Sequence, residues 1–240
     1  MGYIIFLCAL ALLYAVAICL MRFIKNRSAA NFAFCALVFL PYIALVIIVY
    51  RSVGAHDWNF TNTLPVANVS PFMFAITPLA LILRGSAREY FCRLISLLSL
   101  GMLCSVAISC AYFASIDYKF HFHFVLDYVA HANLSLFGVF LVKSGQVDLK
   151  PKKCAISSSI IFASAAVMLV LNLVFDTAFF GLSLRGKHNI YNTVLTESSY
   201  LSALLYFSGL ALVLCAGYAF LKLITAINNS KLNTGKEKID

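Results

Sequence analysis

At 240 residues, 62% of them hydrophobic and only 11% charged, with a mean hydropathy of +0.93, the chain has more apolar surface than one soluble core could hide. Lipid must be the solvent for most of it, which excludes a water-soluble globular protein. The net charge of +9 would suit a nucleic-acid partner only if it were gathered on one face, and it is instead divided among loops, so no nucleic acid is expected.

A spanning helix needs roughly 20 apolar residues, because the hydrocarbon layer is about 30 Å thick and each helical residue rises about 1.5 Å. Seven stretches meet that requirement, from about Gly2 to Met21, Asn31 to Tyr50, Leu64 to Leu83, Leu94 to Ala114, Val125 to Val142, Cys154 to Phe175 and Tyr200 to Leu221. The first lacks a basic start, is long for a signal sequence, and runs into Arg22, Lys25 and Arg27 instead of a small-residue cleavage site, so it reads as a span. Spans two and three contain Pro41, Pro71 and Pro78, each expected to kink or break its helix. Between them, Trp58 reads as an interfacial anchor and Asn59-Phe60-Thr61 is a glycosylation sequon. The connection from about Asp176 to Ser199 is long enough to form a cap or a re-entrant segment. Residues 1–227 read as a single transmembrane domain, and the polar stretch 228–240 as a disordered cytoplasmic tail.

Counting Lys and Arg by connection orients the bundle. Fourteen of the 18 lie in the first, third and fifth connections and in the tail from Lys222; the other side holds only Arg51, Lys119, Arg185 and Lys187. The positive-inside rule then places the N-terminus outside and the C-terminus in the cytoplasm of a plasma membrane, the inner membrane in a bacterium. None of the eight cysteines falls in an outer connection and no CxxC pair occurs, so no disulfide is expected and all read as packing residues. Arg88, Glu89 and Arg93 read as a solvated cytoplasmic face near anionic headgroups.

All five histidines lie in outer connections or the outer half of a span, and only His131 sits well inside hydrocarbon. Asp127 precedes it by one turn and Ser135 follows by one, so the three share a helix face. Neither an ionised Asp nor a charged His is cheap in lipid, and the stripe should face the bundle interior or a wet cavity. Span six brings Asn172 and Asp176, and span three Asn68 and Ser70, to the same tier, roughly 5 to 12 Å below the outer surface. Two readings of His131 stay open: a general base or polarising group oriented by Asp127, or one end of an interhelical hydrogen-bonded clamp. His121-Phe122-His123 offers two imidazoles but no third ligand at a recognisable spacing, and no metal site is expected. The chain has no Lys in the core of span seven for a retinal Schiff base, no Asp-Arg-Tyr after span three, no Asn-Pro-x-x-Tyr in span seven, and no GxSxG, Walker loop or HExxH, so no cofactor is implied.

Three segments resemble the YwaF family of bacterial integral membrane proteins, whose animal relatives include acyltransferases that remodel phospholipids. Leu64-Pro65-Val66-Ala67-Asn68-Val69-Ser70 is similar to the family's Leu-Pro opening of a span, Tyr128-Val129-Ala130-His131 to its intramembrane histidine, and the stretch from Asn172 to Leu182 to the Asn-x4-Thr-x-aromatic close of its sixth span. The family places a His or Gln and then a Cys after that Leu-Pro. Here those positions hold Ala67 and Val69, or Asn68 and Ser70 after a one-residue shift. The resemblance implies a lipid or lipid-like ligand and, if Ser70 replaces the acyl-carrying Cys, acyl transfer by Ser70, His131 and Asp127, with Asn68, Asn172 and Asp176 as binding residues. The alternative from a different class is a transporter or small-molecule receptor that holds a proton or solute at the same tier.

Overall fold

In hydrocarbon a backbone N–H or C=O finds no water, so an apolar segment must bond its own polar groups, and the helix does so within one segment. The computed structural model describes residues 2–53, 63–65, 68–115, 121–175 and 199–236, and all the regular structure among these is helical. α1 (Gly2–Leu20) runs into a 3-10 turn (Met21–Phe23) and is followed by α2 (Arg27–Val53), the short α3 (Val69–Ile76) and α4 (Leu79–Ile82), then α5 (Gly85–Ser115), α6 (Phe122–Lys143), α7 (Pro151–Phe175) and α8 (Ser199–Lys236). Of these, α1, α2, α5, α6, α7 and α8 are long and apolar enough to cross a membrane. The chain is a helical membrane protein, and adjacent residues such as Leu12 and Leu13 are 67% and 66% exposed because lipid covers them. Trp58, the sequon at 59–61 and the connection that opens at Asp176 lie outside the described residues.

The third apolar stretch is two helices instead of one. Pro78 cannot donate a backbone hydrogen bond, and the chain turns at Thr77-Pro78. Side chains add bonds around the turn: Thr77 Oγ1 donates to the Met73 carbonyl at 2.6 Å, Cys35 Sγ lies 3.7 Å from the Thr77 carbonyl, and Arg88 Nε donates to the Ala80 carbonyl at 2.9 Å. Pro71 sits in the first turn of α3, where its missing N–H would have had no intrahelical partner. Pro41 leaves α2 continuous. It deprives the Leu37 carbonyl of its usual donor, and Asn133 Nδ2 of α6 reaches that oxygen at 3.3 Å. At the other end of the chain, α8 continues to Lys236, past the boundary at 228 that composition predicts, since no proline intervenes.

α5 is the hub and packs against α1, α4, α6, α7 and α8. Small residues permit the closest approaches. A Cβ on Gly138 of α6 would stand 2.8 Å from the Ile95 carbonyl oxygen, and one on Gly217 of α8 would overlap the Leu97 carbonyl. Without a hydrophobic drive between helices in lipid, such backbone proximity supplies much of the association.

Polar contacts gather at one end. Asn31 and Gln146 exchange amide hydrogen bonds at 2.8 and 3.2 Å, Arg88 joins them at 3.2 Å, and Lys143 Nζ donates to the Ile18 carbonyl at 3.1 Å. α6 ends in a Schellman turn, with Gly145 at φ +70°, its N–H on the Val142 carbonyl and that of Gln146 on Leu141. Arg93, expected on a solvated face, is instead fully buried. Its Nη2 meets Glu89 at 2.5 Å and Asp148 at 2.8 Å, its Nε the Asp148 carbonyl at 2.9 Å, and Lys153 closes the ring to Glu89 at 2.7 Å and Asp148 at 3.1 Å. The helix begins nine residues before the apolar stretch does, and that early start carries Glu89 and Arg93 into contact with the 144–150 turn and α7.

Burial pushes the Asp148 carboxyl up, but the hydrogen bonds from Lys153 and Arg93 together with their charges outweigh it and hold the group below its ordinary range. Its contribution to stability is therefore complete above about pH 4, the ordinary carboxylate value, and is lost as pH falls through the lower folded-state value. Asp148→Asn should lower stability by about 2 kcal/mol, less than a wholly buried pair because the carboxylate is one-third exposed, and should flatten that acid limb. Lys150→Gln, at the exposed 3.9 Å contact, should change neither; thermal unfolding in detergent across pH reads both. Gly217→Val should cost about 1–3 kcal/mol or more by forcing α8 off Leu97, seen as a lower unfolding temperature.

Candidate functional site

α6 presents Asp127, His131 and Ser135 on one face, as their spacing requires. His131 Nδ1 lies 2.9 Å from the Asp127 carbonyl and 3.4 Å from its carboxylate. Both are acceptors, so Nδ1 carries the hydrogen and, in the neutral ring, Nε2 is the basic nitrogen. The ring is buried and meets Phe74 of α3 edge-on at 4.8 Å, and Phe74 in turn packs on Tyr42. Asp127 is more open, with one-third of its side chain exposed.

One turn on, Ser135 has a different task. Its hydroxyl donates to the Ser99 carbonyl at 2.6 Å, which uses its only hydrogen, so Tyr14 of α1 must donate to Ser135 at 2.6 Å. Ser109 and Tyr128 bridge α5 and α6 at 2.9 Å, further from the polar end. These are clamps holding α1, α5 and α6 in register.

Ser70 occupies the first turn of α3 at a comparable height. Its hydroxyl meets Met102 Sδ at 3.6 Å, a weak acceptor. It opens onto a cavity of about 280 Å³ between Val69 and Ser70 of α3, Leu98, Gly101 and Met102 of α5, and one face of α8 between positions 205 and 213. Among the described residues of that lining, Ser70 and Tyr206 carry the polar side chains. Met102 stands about 21 Å along α5 from Arg88, which marks the polar end, so the cavity lies toward the opposite end.

The predicted residues thus form two groups. Asp127 touches His131, which meets Phe74, whereas Ser70 faces Met102 and the cavity, and His131 is not among the described residues of that lining. No hydrogen bond joins Ser70 to His131. Asn68 caps the N-terminus of α3 with its backbone, its carbonyl accepting from Phe72 N at 3.2 Å, and makes no side-chain cap bond. Asn172 is buried on α7, and Asp176 lies outside the described residues. The His121 and His123 rings stack at 5.4 Å, and no cluster of three metal-ligating side chains occurs among the described residues.

Sequence reasoning missed the α8 wall. Gly209 and Gly217, two turns apart in the last span, were its available signal: a Cβ at Gly217 would overlap α5, while a Cβ at Gly209 would meet nothing within 4 Å. No protein-family model, curated protein or solved structure matches the chain.

Ser135→Ala should cost about 1 kcal/mol, and a double-mutant cycle with Tyr14→Phe should return a coupling of about 0.5–1.5 kcal/mol. Reversible unfolding in mixed micelles measures both.

Proposed function

We propose that the chain is a YwaF-like protein of the plasma membrane, the inner membrane in a bacterium, that binds a lipid or lipid-like ligand in the outer half of its bundle. In this reading it crosses the bilayer seven times, the seventh crossing being the broken α3–α4 segment, with its N-terminus outside and its C-terminus in the cytoplasm. The alternation of basic connections supports that orientation. So does the gathering of the end of α1, the start of α2, the end of α4, the start of α5, the end of α6 and the start of α7 in one polar layer.

The observation that carries the ligand class is the nearly apolar cavity at Ser70, walled by three helices. Binding fits this arrangement better than acyl transfer. A serine nucleophile needs a base within about 3 Å or one bridging water, and Ser70 has a thioether for its partner.

The test uses the full chain in phospholipid nanodiscs with a photoactivatable phospholipid carrying a diazirine in its acyl chain. Labelling should concentrate on the cavity positions of α5 and α8, several-fold above the lipid-facing side of α1 around Leu12. Labelling no higher than on α1 would sink the binding reading. A base-labile acyl ester on Ser70 would restore acyl transfer.

A second reading, a proton or solute site at Asp127 and His131, draws on the partly exposed carboxylate beside a buried imidazole. It requires that Asp127→Asn abolish pH-dependent solute uptake in proteoliposomes while leaving the lipid labelling intact.

A further inference from the structure

The cavity exists because α5 and α8 touch and then diverge. Where Gly217 meets the Leu97 carbonyl, the two backbones are as close as they can be. One turn further on, Val213 fills the place of the missing side chain at Gly101, in direct contact with it. Another turn along, at Gly209, nothing stands within 4 Å of where a Cβ would be, although the residue lines the cavity. Leu98 and Val213 are therefore the floor, and Gly209, itself exposed, stands at the open rim of the cavity above it.

What fills such a space follows from its walls and its solvent. Water needs two to four polar partners, and an apolar cavity stays dry; the described residues of this lining are apolar apart from Ser70, already turned to Met102, and Tyr206. An empty bore would forfeit the dispersion contacts of every lining atom. The surrounding solvent is hydrocarbon, whose chains have the right chemistry and are at hand. A cavity of 150 Å³ admits benzene, so 280 Å³ holds on the order of ten carbons. The lining of α8 from 205 to 213 extends for about 12 Å along the helix, which suits one extended chain. A second helix does not fit, and neither do both tails of a two-chain lipid.

Resting on the binding reading above, we propose that the cavity takes a single unbranched alkyl chain, with a carbonyl or hydroxyl of the ligand at Ser70, and that Gly209 sets the length of chain admitted. The hydroxyl of Ser70 exchanges a weak bond to sulfur for a stronger one to oxygen. A side chain at position 209 would enter the bore from the α8 wall without meeting backbone, and would shorten the usable path.

The experiment uses the full chain in nanodiscs and fatty acids of eight, twelve and sixteen carbons, each with a diazirine at the chain end, with labelled residues mapped by mass spectrometry. The wild type should label at the floor, around Leu98 and Val213, most strongly with the twelve-carbon probe. Gly209→Leu should cut floor labelling by that probe about tenfold and shift the preference to the eight-carbon probe, with Gly209→Ala between the two. If Gly209→Leu alters assembly, seen by gel filtration, the Gly209→Ala comparison carries the test alone. An unchanged length preference in Gly209→Ala and Gly209→Leu overturns the role of Gly209 and leaves lipid binding standing. Floor labelling of the wild type no greater than that of α1 by every probe overturns the binding reading itself.

Discussion

A guanidinium with no exposed surface, surrounded by the ends of helices that lipid otherwise covers, is the most demanding group in this molecule. Desolvating Arg93 costs several kcal/mol, and the cost is offset where its hydrogens find acceptors, as those on Nε and Nη2 do, while Nη1 has no hydrogen-bond partner among the described residues. Glu89, one turn earlier on the same helix, supplies one carboxylate; Asp148, from the turn between α6 and α7, supplies a carboxylate and a carbonyl. Lys153 balances the second negative charge and draws in the start of α7. Four side chains of zero net charge thus lock three elements at one end of the bundle. The neighbouring Asn31–Gln146–Arg88 contacts add α2 and α4 to the same layer.

With one end fixed, the other can differ. From that layer the helices run upward in contact wherever side chains are small: Gly138 of α6 on Ile95 and Ser96, and Gly217 of α8 on Leu97. Beyond those points α5 and α6 stay together, clamped by Ser135 on Ser99 and by Tyr128 on Ser109. α5 and α8 meet closely at Gly217 and Gly101, and past those points the cavity opens. One side of the hub is thus closed by contacts with α6, and the other opens where α8 diverges.

The breaks in the helices follow the same logic of partners. At the α3–α4 turn Cys35 of α2 reaches the Thr77 carbonyl and Arg88 of α5 the Ala80 carbonyl, while Pro41 exposes the Leu37 carbonyl, which Asn133 answers from α6. These three contacts cross from one element to another, so places that would be weak points in an isolated segment become attachments in the bundle. Ser70 and Phe74, i and i+4 on α3, differ in depth along the helix: Phe74 covers His131, and Ser70, about one turn nearer the start of the helix, borders the cavity.

Length, hydropathy and the position of basic residues were enough to specify a helical membrane protein and the approximate ends of its long helices, because burying a helix in lipid depends on the segment's own composition. Periodicity was enough to pair Asp127 with His131, since i, i+4 neighbours share a face whatever surrounds the helix. What only the tertiary structure decided were contacts between elements distant in sequence. Arg93 passed for a solvated residue because its partner Asp148 lies 55 positions away. Ser70 and His131 read as one tier but do not share a cavity: His131 meets Phe74, one turn further along α3 than Ser70, and which side chains meet depends on how α3, α5 and α6 pack. The void beside Gly209 was invisible for the same reason: a glycine reads alike in a sequence whether a backbone presses against it, as at Gly217, or nothing does.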